Sequence, residues 1–158
     1  MKKIIWALIF LIILTTAFYF YDYLKPIKFD NEIPGLIYSN ESKFEKETTI
    51  HLQGTLHRKF FDRNVFIGKL ILDNDIEYDL KLLHEGNRYF GLLTSDKSYL
   101  GIIKTTGSIL ISNNLKKTWI QSDEINSKYN LNEGYVSGPV KNIEEANNIA
   151  GSFFENNH

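Results

Sequence analysis

TTIHLQGTLHRKFFDRNVFIGKLILDNDIEYDLKLL, residues 48–83, is the stretch whose reading decides the fold, because apolar and polar residues alternate along most of it. Ile50, Leu52, Leu56 and Phe60 fall on one face of an extended chain, and Thr49, His51, Gln53, Thr55, His57 and Lys59 fall on the other. A period of two is the mark of a strand buried on one side only. Phe61-Asp62-Arg63-Asn64 reads as a turn, and Val65 to Leu72 as a second strand. Asp73-Asn74-Asp75 is a hairpin signal, since Asp and Asn tolerate left-handed backbone. Ile76, Tyr78, Leu80 and Leu82 then alternate with Glu77, Asp79 and Lys81 in a third strand.

The pattern continues toward the C-terminus. His84-Glu85-Gly86-Asn87 turns into a strand over Arg88 to Thr94. Ser95-Asp96-Lys97 turns into Ser98 to Lys104, Thr106-Gly107 into Ser108 to Ser112, and Trp119-Ile120 begins another strand. A small repeat runs through these segments: Phe66-Ile67-Gly68, Tyr89-Phe90-Gly91 and Tyr99-Leu100-Gly101, each followed two residues on by Leu70, Leu93 or Ile103. Glycine weakens a flat strand, so its return at similar places predicts bends that curl the sheet, with Gly54 in the same part. Gly134 to Pro139 reads as a final edge strand. Asn142, three residues before Glu145, is a helix cap, and Ile143, Ala146, Ile149, Ala150, Phe153 and Phe154 make one helical stripe. The fold class expected is mainly β (α+β): a strongly curved antiparallel meander or small barrel of about six to eight strands, with one C-terminal amphipathic helix as a lid.

Toward the N-terminus the pattern breaks down. Lys25 to Glu47 contains Pro26, Pro34 and Gly35 and no sustained period, so residues 25–47 read as a juxtamembrane connector and 48–158 as the folded domain. Residues 1–24 are a cytoplasmic stub and a transmembrane helix. Ile4 to Tyr21, IIWALIFLIILTTAFYFY, carries no charge, and about eighteen residues of helix cover roughly 27 Å. Ile4, Trp6, Leu8, Phe10, Leu11 and Leu14 supply the lipid-facing surface. Tyr19, Tyr21 and Tyr23 form an aromatic belt at its outer end. Lys2 and Lys3 place the N-terminus in the cytoplasm by the positive-inside rule, and the domain outside it. A cleaved signal peptide is the competing reading, but Thr15-Thr16-Ala17 is a poor cleavage site with bulky Phe18, Tyr19 and Phe20 directly after it.

Composition narrows the function classes. The chain has 158 residues, 43% hydrophobic and 14% aromatic, enough for one domain with a real core. Setting aside Lys2, Lys3, Lys25 and Asp22 leaves 15 basic and 18 acidic residues, which argues against nucleic acid as a partner. With no cysteine there is no disulfide, no thiol chemistry and no lipidated cysteine, so the helix itself must do the anchoring.

No catalytic motif is present: there is no Gly-x-Ser-x-Gly, no His-Glu-x-x-His and no phosphate loop. Candidates for ligand or partner contact are His51, Gln53, His57, Arg58, Asp79 and Arg88. His51 and His57 share a strand face but stand about 20 Å apart, too far to hold one metal. Asp73, Asp75, Glu77 and Asp79 alternate as calcium ligands could, yet Tyr78 stands where the loop glycine belongs, so a hairpin with a solvated face is the better reading. His57, Arg58, Lys59 and Arg63 form a basic cluster suited to anionic headgroups or to blunting a strand end. No metal or cofactor is expected.

Gln53-Gly54-Thr55-Leu56-His57-Arg58-Lys59-Phe60-Phe61 followed by Phe66-Ile67-Gly68-Lys69-Leu70 resembles a family of small single-pass, membrane-anchored β-rich proteins of spore-forming Gram-positive bacteria. The resemblance covers the chain from about Thr48 onward and rests on strand and turn motifs. It implies membrane attachment and a β-rich fold, and supplies no activity and no catalytic residues. The function expected is a non-enzymatic, membrane-tethered binding or protein-interaction module, with the bilayer and an envelope or membrane protein as partners. The alternative is an envelope-acting enzyme or small-ligand receptor with a pocket in the curved sheet.

Overall fold

The computed structural model describes residues 2–95 and 104–155. A helix, α1 (Lys2–Leu24), leads into eight strands: β1 (Ile27–Ser39), β2 (Phe44–His57), β3 (Val65–Leu72), β4 (Ile76–Glu85), β5 (Arg88–Ser95), β6 (Lys104–Ser112), β7 (Thr118–Ser122) and β8 (Tyr135–Gly138). A short helix, α2 (Asp123–Tyr129), lies between β7 and β8, and α3 (Ile143–Phe154) follows β8. The strands pair antiparallel in chain order, and β8 pairs with β1, so the sheet closes into a barrel. Closure gives every strand a partner on both sides over at least part of its length.

Alternation sorts the side chains. Ile50, Leu52 and Leu56 of β2 point inward, with Phe66, Leu70 and Leu72 of β3 and Ile76, Tyr78, Leu80 and Leu82 of β4. They form one apolar interior with Ile109, Ile111, Ile120 and Val136 from the later strands. Tyr78 brings a polar group into it; its hydroxyl meets Ser122 at 2.6 Å, and burial pushes its pKa up to about 12. A second apolar cluster lies outside the barrel wall, where Ala146, Ile149 and Phe153 of α3 cover Leu36, Tyr38, Leu110 and Trp119. Asn142 caps α3 by accepting from the Glu145 amide at 2.9 Å, as its position in the sequence predicts.

The glycines let the wall curve. Gly54 and Gly68 stand opposite each other in the β2–β3 register. A Cβ on Gly68 would come 2.0 Å from the Gln53 carbonyl oxygen, so only glycine permits this approach. Asp73 and Asn74 form the predicted tight turn with φ of 51° and 65°.

Four sequence expectations change. Residues 25–47 are no connector: they hold β1 and the start of β2, with only Lys25 and Pro26 between α1 and β1. The period of two is lost in the second half of β1 because both faces are buried there, Ile33 and Ile37 toward the interior, Leu36 and Tyr38 beneath α3. Pro34 is tolerated because β8 pairs with β1 only from Leu36 to Tyr38, so the missing amide falls beyond that ladder. The segment before Gly138 is no edge strand, since β8 is held between β7 and β1. Thr106-Gly107 is no turn but lies within β6, whose pairing with β5 shifts register at Leu93/Thr94. Phe60 is not an inward strand residue; it sits in the β2–β3 loop, 41% exposed. The strand and turn expected over 96–103, with the third copy of the glycine repeat, lie outside the described residues.

Over Ile4–Leu24, α1 is long and apolar enough to cross a membrane. Of the side chains expected to form the anchor, Ile4, Trp6, Phe10, Leu11, Leu14, Tyr19 and Tyr21 are exposed, and Tyr23 is half-buried.

Candidate functional site

The outer face of β1 to β4 is a broad polar surface, remote from the α3 contacts on β1, β7 and β8. Register sets three outward rows across it. The first row is Lys28, Thr55, Ile67 and Lys81; the second is Asp30, Gln53, Lys69 and Asp79; the third is Glu32, His51, Ile71 and Glu77. Strands lie about 4.8 Å apart, so neighbours within a row are in side-chain contact range. Diagonal contacts also join the second row to the third: His51 Nε2 meets the Asp30 carboxylate at 2.7 Å, and Lys69 donates to Glu77. The surface grades from basic at the first row, toward the α1 end of the strands, to acidic at the third. Ile67 stands in the first row, 51% exposed, with half-buried Ile71 four residues on in the third.

Three of the six sequence candidates meet on this surface: Gln53 and Asp79 in one row with Lys69 between them, and His51 in the next. The other three lie elsewhere. His57 closes the lower end of β2 opposite Val65. The Arg58 guanidinium lies 5.3 Å from the centre of the Tyr23 ring of α1. Arg88 donates to the Phe153 carbonyl at the C-terminal end of α3 and so clamps that helix to β5. His51, His57, Asp79 and Arg88 therefore do not converge on one place in the sheet.

The acidic alternation after Leu72 resolves into a strut. Asp73 accepts from Lys128 at 2.7 Å, from Lys46 at 3.0 Å, and from Tyr129 and Thr48. Asp75 also accepts from Lys128 at 2.7 Å, and Tyr129 stacks beside Phe44. Burial raises the Asp73 pKa, but hydrogen bonds from Lys128, Tyr129 and Lys46 outweigh it and hold the carboxyl well below the usual carboxylate range. The strut fastens α2 to the β3–β4 turn and to β2. Among the described residues no group of acidic and histidine side chains is arranged to hold a metal ion.

Sequence reasoning did not single out Ile67 as a surface residue, or α2. Alternation already placed Ile67 opposite Phe66 and Gly68, on the outward side. Ser122-Asp123-Glu124 with Lys128 was a legible helix signal: Ser122 accepts from the Ile125 amide, acidic residues fill the first turn, and Lys128 is in the last. Comparisons with known protein families, curated proteins and solved structures return no match for this chain.

Proposed function

We propose that the chain is a membrane-tethered binding module, and that the outer face of β1 to β4 receives a partner protein in or on the same membrane. The observation that carries this reading is the half-exposed Ile67, between Thr55 and Lys81 in its row and beside the polar second row, on a wall of the barrel that α3 leaves open. An apolar centre with a polar rim is the usual plan of a protein interface. On this reading α1 spans the membrane with Lys2 and Lys3 in the cytoplasm, and the barrel is extracytoplasmic. The tether raises the effective concentration of the module for partners confined to that surface.

A photo-crosslinking amino acid placed at Ile67 of the full-length protein in its native membrane is expected to trap a discrete protein adduct. The same group at Asn148, on the exposed side of α3, is the reference. Only free protein from the Ile67 position, or identical adducts from both, rejects the interface. Protease added outside intact cells is expected to cut the barrel; full protection rejects the orientation.

A further inference from the structure

The β2–β3 loop, residues 58–64, is not part of the surface described above. It carries two adjacent aromatic residues, and Phe61 is fully exposed, 103% by comparison with an extended chain. With Phe60 beside it, 41% exposed, it makes a contiguous aromatic patch of the kind that marks a membrane or protein contact. Phe60 is fixed against α1: its ring lies 4.7 Å from Phe20, edge to face, and 5.0 Å from Tyr23, stacked. Arg58 covers the same Tyr23 ring. The loop and the last turn of α1 thus form one aromatic block.

This contact sets a height. Phe20 lies four residues before Leu24, the last residue of α1, so it sits roughly 6 Å inside the helix end at 1.5 Å rise per residue. A loop touching both Phe20 and Tyr23 stands level with the final turn of the apolar span. That level in a spanning helix is the interfacial layer, where aromatic rings are favoured. The charges suit the same place. Arg58, Lys59 and Arg63 outnumber Asp62 and Glu85, the acids that pair with Lys59 and Arg63 at 2.7 Å. Long basic side chains can keep these contacts while their charged ends meet lipid phosphates.

We propose that the β2–β3 loop is a second membrane contact, with Phe60 and Phe61 seated in the interfacial layer of the bilayer beside the end of α1. This rests on the reading of α1 as a membrane span. The contact fixes the tilt of the barrel on the membrane.

The chain has no cysteine, so single introduced cysteines can be spin-labelled without background. Full-length Phe61→Cys, Leu11→Cys and Asp79→Cys variants would be reconstituted in vesicles of equal parts phosphatidylcholine and phosphatidylglycerol. Collision with oxygen and with a water-soluble nickel complex then reports the depth of each label. The expected result is a label at 61 of interfacial depth, with an oxygen-to-nickel ratio severalfold above that at 79, and a label at 11 in the hydrocarbon core. A label at 61 as aqueous as the one at 79, with the label at 11 still in the core, overturns the proposal and leaves the span standing. An aqueous label at 11 overturns the span, and the proposal with it.

Discussion

At the scale of single residues, Asp73 is the most connected polar group among the described residues, and its role is mechanical. Its side chain is 11% exposed, while its lysine partners Lys46 and Lys128 are 42% and 32% exposed, so solvent screens part of each pair. Charge-assisted hydrogen bonds of this kind are worth about 1.5–3 kcal/mol each when well shielded, and the lower end applies here. Asp73→Asn is expected to cost about 1–3 kcal/mol at neutral pH. The pH dependence follows from the depressed pKa. The unfolded chain titrates Asp near about 3.9. The stabilisation is therefore complete above that value and is lost as pH falls through it toward the lower folded-state pKa. Thermal melts in detergent should show a wide gap between wild type and Asp73→Asn at neutral pH and a narrow one at acid pH. An equal gap at both would assign the loss to shape rather than charge.

At the scale of elements, α3 is the clearest case of a helix held by what it covers. Phe153 is 5% exposed and packs with Trp119, Leu36 and Leu110, and its carbonyl is gripped by Arg88. Phe153→Ala should cost about 3–5 kcal/mol, in the range for a buried aromatic truncated to alanine. Hydrogen exchange should locate the damage: faster exchange in α3 and β8, with the β3–β4 hairpin still protected. Uniform acceleration would mean that α3 and the barrel unfold as one unit. Elements with one buried face were the ones legible in sequence. Both β3 and β4 match their alternation, and α3 matches its cap and stripe. In the second half of β1 the signal disappeared, because burial on both sides erases alternation and Pro34-Gly35 imitates a turn. In α2 seven residues bury only Ile125, too few to show a helical period. The candidate site was legible only in part. Periodicity shows which way His51, Gln53 and Asp79 face, but the neighbours of each depend on strand register, which a single strand does not encode.

At the scale of the whole molecule, closure depends on β1. It pairs with β2 along its full length and with β8 over Leu36–Tyr38, so it is the stave that joins the first and last strands. A fragment beginning at residue 48 removes β1 and leaves β2 and β8 as open edges, and it is expected to aggregate. A fragment beginning at Pro26 keeps every strand and is expected to stay monomeric, as judged by size-exclusion chromatography. A monomeric, cooperatively melting fragment from residue 48 would show that closure is dispensable. The same strand also fixes the length of the leash. Lys25 and Pro26 alone lie between the apolar helix and the barrel wall. At about 3.5 Å per residue they give roughly 7 Å of slack, where a connector over 25–47 would have given about 80 Å. With α1 in a bilayer, the barrel sweeps almost no volume above it. On the binding-module proposal, its search for a partner would be a two-dimensional one, by drift within the membrane plane, and anything standing more than a barrel's height from the lipid would be out of range.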